Sequence, residues 1–435
     1  MVEPRQPVPT IKFIDEYCQI YQNIFPEVGS FEAFNYLHIG MISDLKRKML
    51  PSIAKVIGLD HQALHHFITQ SLWDVKNLSR QRFELILYVV QLRLILLKID
   101  DTGYKKKGEA TDYVKRQYIG NLGKTDNGIV AVTAYGVLSG MTFPLLFEVY
   151  KPRERLQPGD EYLTQPELVA KMSEQLRVIG LKVNLVLADS LYGESSKNFF
   201  QILDKVNFNF IVIIRYNHKK WGVTDAKVKY SNRPIFKRVF SDFSSEDRYI
   251  REIICGDNPE IKYGEITTDK EELSKKTTWY VMSKFSNITP TEVSNFYGLR
   301  TWVEYGLKQS KNELGWADFS LNNYPQIKQW WEIIFSAYLM VSLHSEQLLK
   351  LSPQSEFNFS SHPGWDEGKG CQNILNNLRL IVQPFVLFKF IKIGLEVFTV
   401  PKLSEGFFQL QILVTNLNRS ICQNLNLPYF QFSSA

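Results

Sequence analysis

The chain has 435 residues, which is enough for roughly two or three domains of ordinary size. Its composition, with 44% hydrophobic and 22% charged residues, is typical of a soluble globular protein and excludes wholesale disorder, a collagen-like repeat and a membrane bundle. The net charge of +6 is compatible with a polyanionic partner but does not require one.

The two most apolar stretches, residues 83–99 and 381–400, are interrupted by charged side chains, so neither predicts a membrane span. The N-terminal residues lack the apolar segment of a signal peptide. The four cysteines lie far apart in the sequence, which disfavours a disulfide framework or a CxxC zinc site and fits a reducing cytosol. We therefore expect a cytoplasmic protein with no membrane partner.

Residues 1–80 are predicted to be helical, and residues 52–68 show a helix-turn-helix pattern. Ala54 allows two helices to cross closely, Gly58 takes the turn and Leu64 fills the shared core. Asp60 is placed to cap the second helix. Plain helical hairpins show the same spacing, so the pattern fits either a DNA-reading domain or a structural hairpin.

Residues 81–215 are predicted to form an α/β region with a mixed sheet, because buried apolar runs alternate with amphipathic segments. The predicted elements, in chain order, are a helix at 80–91, a strand at 94–99, a polar loop at 103–128, strands at 129–138 and 141–150, a helix at 164–179, a strand at 183–188, a helix at 195–205 and a strand at 208–214.

Residues 216–288 combine basic side chains with alternating β-formers, which predicts a β-rich insertion into the α/β region. Residues 289–350 are assigned to the last part of the α/β core and begin with a helix predicted at 290–314. Residues 351–435 are predicted to be helical after a polar loop, and they are a candidate dimerisation region.

Two carboxylates each follow a predicted buried strand, namely Asp101 and Asp189. Sites in α/β sheets gather at the carboxyl ends of strands, so the two carboxylates converge if the strands are neighbours. Paired carboxylates can hold Mg²⁺, and two such ions can activate water and stabilise a leaving oxygen in phosphodiester chemistry. The structural alternative is that each aspartate only caps the turn that follows it.

Four polar side chains of the helix predicted at 290–314 share one narrow face. Tyr297, Arg300, Glu304 and Lys311 fall within a stripe roughly 60° wide at 100° per residue. Glu304 would ligate a metal ion, while Arg300 and Lys311 would hold phosphates. The alternative is an ordinary ladder of surface ion pairs.

The pattern Tyr297-x2-Arg300-x3-Glu304-x6-Lys311 resembles the signature helix of the DDE transposases of insertion sequences, in the group that forms DNA hairpins. The segments IDDTGYKKKG, DYVKRQYIGNLGKT and LADSLYGES are similar to the branch of bacterial insertion-sequence transposases numbered 701. The resemblance covers residues 45–345. It implies an RNase H-like catalytic core interrupted by the β-rich insertion, with helical regions at both ends of the chain.

The resemblance implies a catalytic and metal-binding triad of Asp101, Asp189 and Glu304 that uses Mg²⁺ or Mn²⁺, with two ions expected. Asp100 adjoins Asp101, and strand alternation places the two side chains on opposite faces. Asp101 is preferred because the family's catalytic aspartate precedes a threonine. Tyr192 fits the tyrosine that follows the second aspartate in family members.

The residues expected to bind DNA are Tyr297, Arg300, Lys311, Trp279, Lys105, Lys106 and Lys107. In the hairpin-forming group that the chain resembles, a tryptophan of the insertion stacks on a base flipped out beside the cut and so favours a hairpin, and Trp279 lies at a similar position. Ordinary sheet packing of Trp279 is the alternative. The three lysines adjoin Asp101, where contact with the DNA backbone and a merely solvated loop are both open.

The leading hypothesis is a cut-and-paste DNA transposase that binds terminal inverted repeats through residues 1–80, cleaves the element's ends through a hairpin and joins them to target DNA. Pairing of two ends implies a homodimer on double-stranded DNA, in the bacterial cytoplasm and nucleoid. The alternatives are an RNase H-like nuclease without strand transfer, a helix-turn-helix regulator and a carboxylate-pair glycosidase, of which the last leaves Arg300 and Lys311 unexplained. Residues 120–125 mimic the end of a phosphate-binding loop but have the wrong glycine spacing.

Overall fold

A computed structural model of the chain describes residues 5–138, 141–189, 192, 196–205, 207–214, 227–228, 235–239, 245–254, 261–269, 279–284, 296, 313–350, 363–366, 371–397 and 400–423. The described residues divide into two compact units. The first comprises Met1–Leu85 and Lys308–Ala435, and the second comprises Ile86–Leu307. This division reflects compactness, and the five functional regions expected from the sequence stay predictions.

The described helices are α1 (Lys12–Gln19), α2 (Val28–Ile42), α3 (Leu50–Ile57), α4 (His61–Thr69), α5 (Val75–Val90), α6 (Gln165–Ile179), α7 (Ser196–Lys205), α8 (Tyr324–Lys350), α9 (Cys371–Val397) and α10 (Pro401–Gln423). The described strands are β1 (Ile95–Lys105), β2 (Lys115–Ile119), β3 (Lys124–Leu138), β4 (Met141–Val149), β5 (Val183–Ala188), β6 (Asn209–Ile214), β7 (Lys227–Val228), β8 (Ile235–Val239), β9 (Ser245–Ile254), β10 (Lys262–Thr267) and β11 (Trp279–Lys284).

Helix α2 is the centre of the first unit. Its sequence is apolar around most of its circumference, so it is buried on nearly all sides. It contacts α1, α3, α4, α8 and α9. None of the described helices is both long and apolar enough to cross a membrane.

The helix-turn-helix pattern of residues 52–68 corresponds to α3 and α4. Gly58 ends α3 with a φ of 68°, in the left-handed region that favours glycine. Asp60 caps α4, since its Oδ1 accepts a hydrogen bond from the backbone N–H of Gln62 at 3.0 Å. Ala54 and Leu64 are both buried. The predicted turn at Gly58 and cap at Asp60 are therefore confirmed. The close helix crossing at Ala54 and DNA reading stay predictions.

A buried lysine lies where the first unit brings distant segments together. The Lys48 ammonium donates a hydrogen bond to the carbonyl oxygen of Ser43, and its backbone N–H donates to Asp318 Oδ2 at 2.8 Å. Burial lowers the pKa of Lys48 to about 7, assisted by the charge of Arg379. Asp44, Glu313 and Asp318 oppose this shift.

We expect Lys48 to make the first unit more stable as the pH rises. An unfolded lysine keeps its proton to about pH 10.5, whereas the folded protein releases it near pH 7. Because the unfolded state then binds more protons, the free energy of unfolding increases between these values, by roughly 2 kcal/mol from about pH 7 to 9. Urea unfolding of the wild type and Lys48→Met at the two pH values measures this difference. An identical pH dependence for both proteins would contradict the assignment.

The second unit is built on one mixed sheet, in the order β2-β3-β1-β5-β6-β11-β10-β9-β7, with β4 also paired to β3 and β8 to β9. Strands β1, β3 and β4 are antiparallel neighbours, whereas β1, β5 and β6 are parallel. Helices α6 and α7 provide the crossovers into β5 and β6. This arrangement confirms the predicted α/β, RNase H-like mixed sheet.

The predicted β-rich insertion contributes strands β7 to β11, which continue the core sheet. Strand β11 pairs antiparallel with β6, and β10 and β9 follow in order. One buried cluster therefore runs across the junction, with Leu187 of β5, Ile211 of β6 and Val281 of β11 among its members.

The sequence prediction was wrong between residues 103 and 128, where it expected a loop. Strand β1 extends to Lys105, and β2 occupies Lys115–Ile119. Strand β1 continues because its antiparallel partner β3 runs on beyond the point where its pairing with β5 ends. The helix predicted at 290–314 lies almost entirely outside the described residues.

Candidate active site

The two candidate aspartates lie at the same end of neighbouring parallel strands. Strand β1 pairs with β5 up to the Lys98–Leu187 pair, and β5 ends at Ala188, so Asp189 is the first residue beyond it. Asp101, by contrast, lies within β1, opposite Val132 of β3. The expectation that Asp101 follows its strand was therefore wrong, but the expected convergence of the two aspartates is what this sheet order produces.

The Asp101 carboxyl group is partly buried among negative charges. Burial, and after it the charges of Asp100 and Asp189, together raise the pKa of Asp101 to about 6. The backbone of Gly120 lies against this carboxylate, such that a Cβ added there would be 3.3 Å from Oδ2. Among the described residues, no lysine or arginine forms an ion pair with Asp101. The described carboxylates of this site therefore repel one another.

Asp100 has a different environment, which distinguishes it from its neighbour. Its Oδ2 lies 3.5 Å from the ammonium of Lys98, a fully buried side chain on the same face of β1. Its Oδ1 accepts the backbone N–H of Asp101 at 2.9 Å. Its carbonyl oxygen accepts the Thr133 hydroxyl at 3.1 Å. Asp100 thus acts as counter-ion to Lys98 and orients the backbone that carries Asp101.

Tyr192 lies beside all of these carboxylates. Its side chain is fully buried, and its ring packs against Phe199 of α7 with ring centroids 5.5 Å apart. Burial raises the pKa of the Tyr192 phenol well above its ordinary value, and the charges of Asp101, Asp100 and Asp189 add to that effect. The phenol therefore stays protonated as a donor near the carboxylates.

The described carboxylates fit a hard divalent cation. Oxygen donors are the ligands that Mg²⁺ and Mn²⁺ prefer. A bound cation would offset the burial and the repulsion that together raise the pKa of Asp101. Within the described ranges, no group of three His, Cys, Asp or Glu side chains is arranged to hold a metal ion. The third ligand expected from the sequence, Glu304, falls outside those ranges.

The three lysines that follow Asp101 differ in their contacts. Lys105 forms an ion pair with Asp126 at 2.7 Å, and the Lys106 ammonium lies 5.1 Å from the centroid of the Tyr104 ring. Burial lowers the pKa of Lys106 to about 8. Lys107 is exposed. Their predicted contact with the DNA backbone stays a prediction.

The remaining candidate residues are not placed by the structure. Tyr297, Arg300, Glu304 and Lys311 lie outside the described residues. Trp279 begins β11 and pairs with Ile266 of β10, but its side chain is not among those described.

Sequence reasoning missed Lys98 and Gly120. Lys98 interrupts the apolar run LILLKID at a position whose side chain points into the protein, which was an available signal for a buried ion pair. Gly120 belongs to the GNLGKT segment that mimics a phosphate-binding loop, and its actual role is to let the backbone approach Asp101.

Comparison with known proteins agrees with this geometry. Residues 23–248 match the family described as DDE superfamily endonuclease, and residues 164–340 match the transposase DDE domain. A probable transposase for insertion sequence element IS701 from Microchaete diplosiphon is 64% identical over 329 residues, which are 75% of this chain and 87% of that protein. The chain belongs to the IS701 branch of the DDE transposases.

Membership of this branch confirms the predicted family and identifies the chain as a DNA transposase of the DDE endonuclease type. The family generally uses divalent metal ions, in agreement with the oxygen donors of the site. DNA is accordingly its partner.

Proposed function

We propose that this transposase cuts and pastes its own element by using Asp101, Asp189 and Glu304 as one catalytic triad. The observation that carries the proposal is that β1 and β5 are neighbouring parallel strands, which brings Asp101 and Asp189 towards the same end of the sheet. Burial and the charges of Asp100 and Asp189 raise the pKa of Asp101 there. The turn-cap alternative does not apply to Asp101, because Asp101 lies within a strand.

The triad would hold Mg²⁺ or Mn²⁺, and two ions bound there would supply an activated water and stabilise the leaving oxygen. Asp100 would keep Lys98 neutralised, so that it does not compete for the Asp101 carboxylate. Tyr192 would close the inner side of the site, because it is buried and remains protonated.

The reaction proposed for each end has two chemical steps before joining. Water cleaves one phosphodiester at the element's end and leaves a 3′-hydroxyl. That hydroxyl attacks the phosphodiester opposite, displaces its 3′-oxygen and closes a hairpin on that end. After the hairpin is reopened by hydrolysis, the 3′-hydroxyl attacks target DNA in the same way.

Positioning of DNA is assigned to residues around the triad. Tyr297, Arg300 and Lys311 would bind phosphates, Arg300 in bidentate fashion. Trp279 would stack on a flipped base, which offsets the few kcal/mol that flipping costs. Lys105, Lys106 and Lys107 would contact the backbone, and the exposed amine of Lys107 is best suited to this role.

Recognition of the terminal inverted repeats is assigned to the N-terminal helices. Helix α4 buries Leu64 and Phe67 and exposes the side chains of Gln62, His65 and His66. Polar side chains on the exposed face of a second helix are what major-groove reading requires. Two ends must meet for excision, so we propose a homodimer on DNA in the bacterial cytoplasm and nucleoid.

The test is an end-cleavage assay with the full chain, Mg²⁺ or Mn²⁺, and labelled duplex that ends in the element's own repeat. Denaturing gels resolve nicks, hairpins and joined products. We expect all three with the wild type and none with Glu304→Ala, while both proteins bind the repeat equally. Trp279→Ala is expected to lower the hairpin yield more than the first nick.

Other outcomes select the alternatives. Nicks without joined products would favour an RNase H-like nuclease without strand transfer. Repeat binding that persists in Glu304→Ala, with no cleavage by the wild type, would favour a helix-turn-helix regulator and overturn the catalytic assignment.

A further inference from the structure

The C-terminal helices carry an unusual concentration of exposed apolar side chains. Of the 20 exposed large apolar residues in the described part of the chain, 10 lie between residues 387 and 412, in α9, α10 and the link between them. The first half of α9 packs into the first unit through residues such as Leu375, Leu378 and Val382. Its second half and the described part of α10 leave most of their apolar side chains in contact with solvent.

The exposed side chains on α9 form a continuous stripe. Leu387, Phe390, Ile391 and Val397 recur at spacings of three, four and six, which place them on one side of a helix. Gly394 lies in the middle of this stripe, and a Cβ added there would meet nothing within 4 Å.

Helix α10 repeats this arrangement on a smaller scale. Leu403 and Leu410 are exposed and seven residues apart, with Gly406 between them on the same side. A Cβ added at Gly406 would also meet nothing within 4 Å. The two helices contact each other through Phe388 and Phe407, whose ring centroids are 5.3 Å apart.

Glycine makes a helix interior less stable than alanine does. No atom of the described chain fills the space beside Gly394 or Gly406. A residue without a side chain, within an apolar stripe, allows the backbone of another helix to approach closely. The occupant that these stripes fit is therefore a helix with a similar apolar face.

The charges of this segment favour a second copy of the chain over a polyanion. Residues 387–412 contain three lysines and two glutamates, which gives a net charge of +1. Lys392 and Glu396 partly neutralise each other at 3.9 Å. Nucleic acid and anionic lipid surfaces are bound by denser positive charge.

The exposed area is also of the size that a dimer requires. Large apolar side chains have surfaces of roughly 150–200 Å², so 10 of them about half exposed offer on the order of 800 Å². A stable interface of standard size buries about 800 Å² on each partner. A two-fold pairing would bury the same patch on both copies.

We propose that α9 and α10 dock against the same two helices of a second copy, so that the transposase associates through this surface without DNA. The proposed interface belongs to the first unit, whereas Asp101 and Asp189 belong to the second. Evidence against this interface would not affect the proposed DNA chemistry, and evidence against that chemistry would not affect the proposed interface.

The test is sedimentation equilibrium of the full chain without DNA, over roughly two orders of magnitude in concentration. Salt is raised to about 0.5 M to screen charge-driven contacts. We expect a monomer–dimer equilibrium, weakened roughly tenfold or more by Leu387→Lys. The matched control is Val178→Lys, which alters an exposed apolar residue of α6 and should leave association unchanged.

Gly394→Leu is a second variant, in which the stability of the monomer and the strength of association should change in opposite directions. The leucine side chain fits the open space beside Gly394 and favours the helix more than glycine does, so the thermal midpoint should hold or rise. The same side chain would block close approach of a second copy, so the association constant should fall. A wild type that stays monomeric at every concentration would overturn the proposal. Association that is unchanged in both Leu387→Lys and Gly394→Leu would overturn it equally.

Discussion

We expect Asp101→Asn to abolish DNA cleavage while it stabilises the metal-free protein. Loss of one metal ligand removes several kcal/mol of transition-state stabilisation, which lowers the rate by roughly 10³-fold or more. In the metal-free fold, burial and the charges of Asp100 and Asp189 raise the pKa of this carboxyl to about 6. At neutral pH its ionised form therefore opposes folding, and asparagine should increase the free energy of unfolding by about 1–3 kcal/mol.

The matched control for this prediction is the adjacent substitution Asp100→Asn. It removes the charge that faces the buried ammonium of Lys98, so it should destabilise the fold by about 3 kcal/mol. Cleavage per folded molecule should fall much less than in Asp101→Asn, because Asp100 is not assigned as a ligand and acts only by holding Lys98 and the backbone of Asp101. Thermal unfolding is measured on both variants, and end cleavage is then measured at a temperature below both thermal midpoints. The reverse pattern, with Asp100→Asn inactive and Asp101→Asn active, would transfer the ligand assignment to Asp100.

The second large effect is expected at the ion pair between Arg82 and Glu332 in the first unit. Arg82 Nε lies 2.6 Å from Glu332 Oε1, and both side chains are buried. The guanidinium also lies 5.3 Å from the centroid of the Phe335 ring. Glu332→Ala leaves the guanidinium buried without this carboxylate, which typically costs about 3–5 kcal/mol. Urea unfolding followed by circular dichroism measures the loss.

A double variant separates the ion pair's own contribution to the free energy of unfolding from the cost of leaving one charge buried without its partner. Replacement of both side chains by apolar residues, Arg82→Met with Glu332→Leu, should recover most of the stability that Glu332→Ala loses. If the double variant is as unstable as Glu332→Ala, the pair is net stabilising and the expected recovery is wrong.

The elements that the sequence predicted well are those with a clear apolar pattern. Strand β5 was predicted at 183–188 and is observed there, because its residues form an uninterrupted apolar run between polar segments. Helix α6 begins beside Thr164, which the sequence placed at the start of that helix. Pattern alone was sufficient at these positions.

Strand β2 could not be predicted in the same way. It lies at the edge of the sheet, and its residues KRQYI alternate between exposed and partly buried positions until the buried Ile119. Three of its five residues are polar, as expected for an edge strand that faces water. The pattern therefore indicated a loop, and only pairing with β3 reveals the strand.

The candidate site was predicted in its carboxylates but not in their surroundings. The position of Asp189 after an apolar strand was visible in the sequence, and the parallel pairing of β1 with β5 brings it towards Asp101. The Lys98–Asp100 pair and the approach of Gly120 depend on side-chain direction and on contacts between distant segments. Sequence spacing does not specify such contacts.

The most direct test of the central claim is metal rescue of end cleavage at Asp101. Asp101→Cys replaces a hard oxygen ligand by a softer thiolate, which suits Mg²⁺ poorly and Mn²⁺ better. We predict that this variant does not cleave in Mg²⁺ but regains measurable cleavage in Mn²⁺, whereas the wild type cleaves in both. Cleavage by Asp101→Cys in Mg²⁺ at the wild-type rate would contradict the assignment of Asp101 as a metal ligand and with it the proposed triad.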